Sequence, residues 1–422
     1  MYSENKLANG LKVIVSPMPH MNSVSIGVWI GVGGRHENTA QSGISHFIEH
    51  MVFKGTLLRS AKELKESVEG VGGALNGFTS DEVTCYMVKV PARYFESGMD
   101  ILTDMVYNPK FDEESIVNEK FVICEEIKMY KDQPAEHVHE ILEGVMWPGN
   151  PMGRPLTGTI STVKSFKRDD IVKFKKKYYS PSNIAVVVVG KITTKEVMKY
   201  VSRLYKGDAQ KTPGYYPVKL SQKDLKVAIS RRKTKQMHLA IGFPVKNTSE
   251  NDKFASQLTS VILGGNMSSR LFEELREKKG LCYDIASSFK YHKDIAEFVI
   301  HGGIDRGKFH IALSGIIDEV IKLKEQGVKE DELIRAKEFA KGQFQLGLES
   351  TSNRMIWLGD KIMVDGKIPD IEHILSSLDK VTCLDIKSVS LRIFSRSMAN
   401  LAVIGDLAEK DKSWMIRDLE RL

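Results

Sequence analysis

Two stretches of this chain repeat each other about half a chain apart. DDIVKFKKKYYSPSNIAVVVVGKI, residues 169–192, aligns without gaps on LDIKSVSLRIFSRSMANLAVIGDL, residues 384–407. Asp170 and Ile171 match Asp385 and Ile386, Ser180 matches Ser395, and Gly190 matches Gly405. Each copy reads as a helix, a turn and an apolar strand closed by glycine. An offset this long means a duplicated domain, not a solenoid, whose periods run roughly 20–50 residues. The 422 residues also exceed what one hydrophobic core usually serves. The predicted organisation is an N-terminal domain over 1–205, a linker over 206–222 and a C-terminal domain over 223–422. KGDAQKTPGYYPVK, with Pro213 and Pro217, supplies the linker composition.

The N-terminal half starts with strand-like runs, LKVIVSP and SVSIGVWIGVG, each ending at Gly or Pro. The spacing then becomes helical from Ser42 to Met51. Ser60 and Glu63 form a capping box for a second helix that stops near VGGALNG. EVTCYMVKV (Glu82 to Val90) reads as a strand, and Phe111 to Lys131 as a long helix closed before Pro134. WPGNPMGRPLTG is dense in turn formers and reads as an irregular loop.

Composition narrows the functional classes. Hydrophobic residues make up 42% and charged residues 27%, ordinary for a soluble globular protein. The formal charge of +7 is modest, and KFKKK (Lys173 to Lys177) reads as a solvated helix face. No basic block interleaves with aromatics, so nucleic acid is not an expected partner. No apolar run reaches membrane-spanning length, so a membrane is not one either. Cys85, Cys124, Cys282 and Cys383 lie far apart without a CxxC pair, which fits a reducing compartment. The expected location is a bacterial cytoplasm, or an organellar matrix had a transit peptide been removed.

GISHFIEHMVFKGT (Gly43 to Thr56) places His46, Glu49 and His50 within five residues of an otherwise apolar helix. Residues four apart share a helix face, so the two imidazoles can point at one ion. Glu49, three after His46 and one before His50, can reach a water there without being a ligand. Neutral imidazole and carboxylate suit zinc, which keeps an open position in catalytic sites. HxxEH is the inverzincin spacing. A lone histidine on an apolar face is ordinarily a hydrogen-bonded core residue. Three such groups buried without partners, however, would cost several kcal/mol.

A third protein ligand is needed. Glu119 and Glu126 are seven apart, two turns of the long helix, and so share a face, while Glu125 points about 100° away. Their other reading is an exposed acidic stripe. Apolar neighbours Phe121, Val122, Ile123 and Ile127 favour acids that face a cation.

HFIEH with Glu119 and Glu126 downstream resembles the pitrilysin and mitochondrial-processing-peptidase family. HMVFKGT, VGGALNGFTSDEVTCY, EEIKMY and GRPLTGT are similar to that family as well. The resemblance runs through nearly the whole chain and matches the short, two-domain members. It implies an α+β fold of two homologous domains, each a largely antiparallel sheet packed with helices. It implies a zinc endopeptidase with one Zn2+ per chain, held by His46, His50 and Glu126. Glu49 would be the general base that takes a proton from a zinc-bound water, and Glu119 would orient a ligand or assist proton transfer. In the family, the strand matching Asn76, Gly77 and Phe78 is a sheet edge that pairs with extended peptide. Gly77 stands where the family usually has Ala, which would loosen that edge. Asn76-Gly77 also reads as a tight turn.

In the second half, SSRLFEELREKKGLCYDIASS resembles the family stretch whose arginine and tyrosine face the zinc. The matching residues are Arg276 and Tyr283, donors suited to an oxyanion. Read without the resemblance, they are an exposed helical arginine and a buried tyrosine. Zinc motif and Arg/Tyr pair stand on one chain here. The expected assembly is therefore a homodimer, closed like a clam around short or unfolded peptides, each site completed by the partner's Arg276 and the partner's Tyr283. The alternatives are a non-catalytic scaffold subunit of the same fold and a metallohydrolase acting on something other than peptides. Scaffold relatives typically lose motif residues, and here His46, Glu49, His50 and Glu126 all stand.

Overall fold

AVVVVG is apolar without alternation, which a strand tolerates only when both of its faces are covered. In the computed structural model, which describes residues 2–205, 210–211, 213–246 and 249–422, that is its situation. The strands of the first sheet are β1 (Ser3–Lys6), β2 (Lys12–Pro17), β3 (Ser23–Ile30), β4 (Ala74–Thr79), β5 (Thr84–Pro91) and β6 (Ile184–Gly190), in the order β1-β2-β6-β3-β5-β4. β6 sits inside the sheet and every residue in it is buried. Val186 and Val188 face one hydrophobic cluster, and Ala185, Val187 and Val189 face another. Burial of each valine side chain stabilises by about 1.5–3 kcal/mol, so this strand anchors the unit.

The second sheet comprises β7 (Lys226–Arg231), β8 (Gln236–Lys246), β9 (Cys282–Tyr291), β10 (Ile295–Asp305) and β11 (Asn400–Gly405), in the order β7-β11-β8-β10-β9. Apart from β1, the two orders correspond strand for strand. In each sheet one pair is parallel, β2 with β6 and β7 with β11, and the other ladders are antiparallel. The mixed sheets packed with helices match the expected fold class.

The sequence repeat is also a structural repeat. The first copy is a helix (Arg168–Tyr178), a 3-10 turn and β6; the second is a helix (Cys383–Ile393), a 3-10 turn and β11. Even the turn chemistry recurs, with Ser180 Oγ 3.3 Å from Ser182 Oγ and Ser395 Oγ 3.1 Å from Ser397 Oγ.

The chain forms two compact units that are not contiguous in sequence. Unit 1 holds 1–128, 154–216 and 345–368, and unit 2 holds 129–153, 217–344 and 369–422. Between β3 and β6 lie, among other elements, α1 (Ile44–Val52), α2 (Ala61–Glu69), α3 (Phe95–Tyr107), α4 (Glu113–Asp132) and α5 (Pro134–Met146), of which α1 and α4 carry the candidate site. α5 packs against β8 and β11, burying Val138, Leu142 and Met146 with Ala240, Ala402 and Ile404. Reciprocally, the helix Thr351–Asp360 packs against β3 and β6, burying Met355 and Leu358 with Trp29 and Val187. The linear division 1–205 and 223–422 follows the sheets and not this exchange of helices. Of the expected linker, 206–209 and 212 lie outside the described residues.

Local signals behave as their chemistry requires. Ser60 and Glu63 cap α2 reciprocally, Glu63 N–H donating to Ser60 Oγ and Ser60 N–H to Glu63 Oε2. The expected strand 82–90 and helix 111–131 are β5 and α4, displaced by one or two residues at their ends.

Candidate metal centre

α1 is only nine residues long and most of it is buried. Its free N-terminal amides need acceptors. Glu37 provides both, taking Gly43 N–H on one carboxylate oxygen and Ser45 N–H on the other, each at 2.8 Å. Burial pushes the Glu37 carboxyl up to about 7 even against these two hydrogen bonds. Gly43 turns the chain into α1 with φ +91°, and a Cβ on it would stand 2.6 Å from the Thr157 carbonyl. Arg154 in turn donates to the Glu37 carbonyl at 2.5 Å.

Held this way, α1 presents His46 and His50 to α4. One atom each of His46, His50 and Glu126 can be chosen so that all three lie within 4.8 Å of one another. His46 Nε2 is 3.7 Å from Glu126 Oε1, and His50 Nε2 is 3.6 Å from Glu126 Oε2. Those spacings are long for hydrogen bonds. Two ligand atoms at about 2.0–2.1 Å from a tetrahedral ion stand about 3.4 Å apart, which is close to what is seen. Glu126 Oε2 is buried without a hydrogen-bond partner, a costly state for a carboxylate lacking a cation. The donor set fits zinc.

Glu119, two turns before Glu126 and 2% exposed, fills the role behind His50. Its Oε1 is 2.7 Å from His50 Nδ1 and its Oε2 is 2.5 Å from Lys54 Nζ. A proton on Nδ1 leaves Nε2 free toward Glu126, the orientation a carboxylate behind a metal-binding histidine enforces. Burial pushes the Glu119 carboxyl up, but the hydrogen bonds from His50 and Lys54 outweigh it and hold the group below its usual range. For His50, burial opposes the charge, yet Glu119 prevails and its pKa is raised. Burial, then the neighbouring His50, drives His46 down to about 3, so His46 is neutral. Burial also raises Glu126 and Glu49. Glu125 is solvated and pairs with Lys128 at 2.6 Å.

Glu49 is 9% exposed and accepts a hydrogen bond from Thr79 Oγ1 at 2.7 Å. Thr79 ends β4, the outermost strand of its sheet. Asn76 is exposed and its Oδ1 accepts from Gly77 N–H at 2.8 Å. A Cβ on Gly77 would come within 3.1 Å of the Phe53 ring, so here the ring occupies the space of a methyl group. Phe78 packs edge-on against Trp29, ring centroids 5.5 Å apart. The segment is thus a strand, not a tight turn.

Arg276 and Tyr283 lie together in unit 2. The Arg276 guanidinium sits over the Tyr283 ring at 5.0 Å and over Phe272 at 4.5 Å. Arg276 belongs to a π-helical turn (Phe272–Lys278), an element frequent at functional sites. Tyr283 is 75% exposed on β9, which overturns its reading as a buried core tyrosine. Thr79, Lys54 and Glu37 are the neighbours that sequence reasoning missed. Thr79 and Lys54 stand in the motifs named above and Glu37 lies between two of them, and no periodicity marks any of the three.

Two facing helices thus bring two imidazoles and a carboxylate together, with a spare acid beside them, a donor set suited to a divalent metal ion. Residues 12–160 match the family described as insulinase (peptidase family M16), and residues 165–339 match the peptidase M16 inactive domain. The chain is 36% identical to the uncharacterized zinc protease YmxG of Bacillus subtilis (strain 168), over 94% of this chain and 96% of that protein. It is 32% identical to the uncharacterized zinc protease SCO5738 of Streptomyces coelicolor, over 96% of this chain and 90% of that protein. A crystal structure of a protease from Helicobacter pylori superposes with a TM-score of 0.91 at 23% identity, covering 96% of this chain and 99% of that one. The chain belongs to peptidase family M16, the insulinase and pitrilysin family, and its Bacillus and Streptomyces relatives are named zinc proteases.

Proposed function

We propose that this chain is a zinc endopeptidase that hydrolyses short or unfolded peptides. The observation that carries the reading is the convergence of His46, His50 and Glu126 beside an unligated Glu49. His46, His50 and Glu126 would hold one zinc ion per chain. When bound, zinc acts as a Lewis acid on the scissile carbonyl and lowers the pKa of water. Glu49 takes the proton from the attacking water and returns it to the leaving amine. Burial has already raised its proton affinity, which suits an acceptor that must later donate. Glu119 keeps His50 in the tautomer with Nε2 free. β4 offers unpaired backbone groups to an extended peptide, recognition that asks little of side-chain sequence. Asn76, Gly77 and Phe78 line that edge.

Arg276 and Tyr283 are the proposed oxyanion donors, supplied to each site by a second copy of the chain in a clam-like homodimer. The exposure of Tyr283 supports a residue that awaits a partner. Precursor processing and clearance of peptide debris both suit such a chamber. The cytoplasm is the proposed compartment. The four cysteines are free thiols, and no described helix is long and apolar enough to cross a membrane.

The test is cleavage of a quenched-fluorescence peptide library by the purified protein. A chelator should abolish cleavage and added zinc restore it. Glu49→Gln should keep its zinc yet lose about 10²–10⁴-fold in kcat. No cleavage in any metal state would favour the scaffold alternative.

A further inference from the structure

We propose that Thr79 is the positioning residue for Glu49, and that it ties the setting of this carboxylate to the free edge of the first sheet. The inference rests on the peptidase reading and deepens it. Among the described residues β4 pairs only with β5, from Ala74 opposite Lys89 to Thr79 opposite Thr84, and no strand pairs with its other side. Side chains alternate along a strand. Phe78 goes to the face that holds Trp29, whereas Gly77 lies against Phe53 at the end of α1, and Thr79 shares the side of Gly77. From there its hydroxyl donates to Glu49 Oε2 at 2.7 Å.

Among the described residues, no other hydrogen bond reaches the Glu49 side chain. A glutamate has three rotatable bonds, and this contact removes most of that freedom. Threonine suits the task because its branched Cβ is stiff, so the strand backbone itself fixes where the hydroxyl points. The donor also commits Oε2 to accepting, which leaves Oε1 as the oxygen available to a reacting proton. Peptide that pairs with β4 therefore lies along the same strand that orients the base. Docking energy spread over several residues of substrate can then be expressed in the chemical step and not in affinity alone.

The experiment compares wild type, Thr79→Val and Thr79→Ser, each loaded with zinc, on a short and a long quenched peptide. Valine keeps the shape and removes the donor; serine keeps the donor. Thr79→Val should retain zinc and thermal stability and lose about 10- to 100-fold in kcat, the scale of a misplaced catalytic group, with KM nearly unchanged. Thr79→Ser should recover most of that loss. In wild type the longer peptide should gain in kcat, and Thr79→Val should lose this gain. The proposal is overturned by full activity in Thr79→Val, by loss of zinc in that variant, or by an effect confined to KM. A wild type that cleaves nothing overturns the peptidase reading, and Thr79's role falls with it. A cleaving wild type beside an unaffected valine variant sinks Thr79 alone.

Discussion

The two units share a sheet and share little chemistry. In unit 1, β3 leads into α1 with His46, Glu49 and His50; in unit 2, the corresponding β8 leads into the helix Glu250–Gly264, which carries no histidine. The outermost strands correspond too, β4 in one sheet and β9 in the other. β4 carries Thr79 against Glu49, and β9 carries the exposed Tyr283. The duplicated architecture has been kept by burial of apolar strands, which many sequences satisfy. The metal centre depends on a few polar side chains that one copy has and the other lacks. Fold and candidate site are therefore separable within one chain.

Four experiments test this division between the units, the most severe loss first. If unit 2 contributes chemistry through Tyr283, Tyr283→Phe should cost about 10²-fold in kcat with zinc retained, as removal of one oxyanion donor does. Mixing it with Glu49→Gln protein should then restore activity through subunit exchange. No recovery after verified exchange would confine the chemistry to single chains. Next, Glu119→Gln should weaken zinc binding by about 10- to 100-fold, because it loosens the hold on His50. Competition with a chelating dye measures this, and an unchanged affinity would remove Glu119 from the site.

The third concerns pH. The folded, metal-free protein holds His46 neutral with a pKa near 3, against 6.5 for an unperturbed histidine. Between those values the unfolded chain binds the extra proton, so stability rises with pH and is lost as pH falls below 6.5. At pH 5 the loss from this group is about 2 kcal/mol. Urea unfolding in the presence of a chelator should show a shallower pH slope for His46→Gln than for wild type. Fourth and smallest is the packing of the exchanged helices. A Cβ on Gly359 would meet the rigid Trp29 ring at 2.0 Å, whereas one on Gly242 would meet the flexible Met146 sulfur at 2.2 Å. Overpacking costs about 1–3 kcal/mol; at Gly359, inside a helix, alanine also gains about 1 kcal/mol of helix propensity, whereas Gly242 stands in β8 and gains none. Gly359→Ala should lower the melting temperature more than Gly242→Ala. Equal effects would mean that the indole yields as readily as the methionine.

Much of this was legible in the residues. The repeat at 169–192 and 384–407 located the duplicated strand of both sheets, because a fully buried strand must be apolar on both faces. The heptad spacing of Glu119 and Glu126 placed both on one side of α4, since helical geometry is local. The exchange of α5 and the helix Thr351–Asp360 was not legible. Nothing in an amphipathic helix states which of two similar sheets it will cover.

Local periodicity sets which segments become strands and helices, and that His46, Glu49 and His50 share one helix. Those follow from contacts within a few residues and need no knowledge of the rest of the chain. Long-range packing brings Glu126 to both histidines, Glu119 between His50 and Lys54, Glu37 to the start of α1 and Thr79 to Glu49. These pairs are separated by up to about eighty residues of chain, and packing of whole elements sets their distances. Ligand spacing of a few ångströms is a property of that packing, to which local pattern is blind.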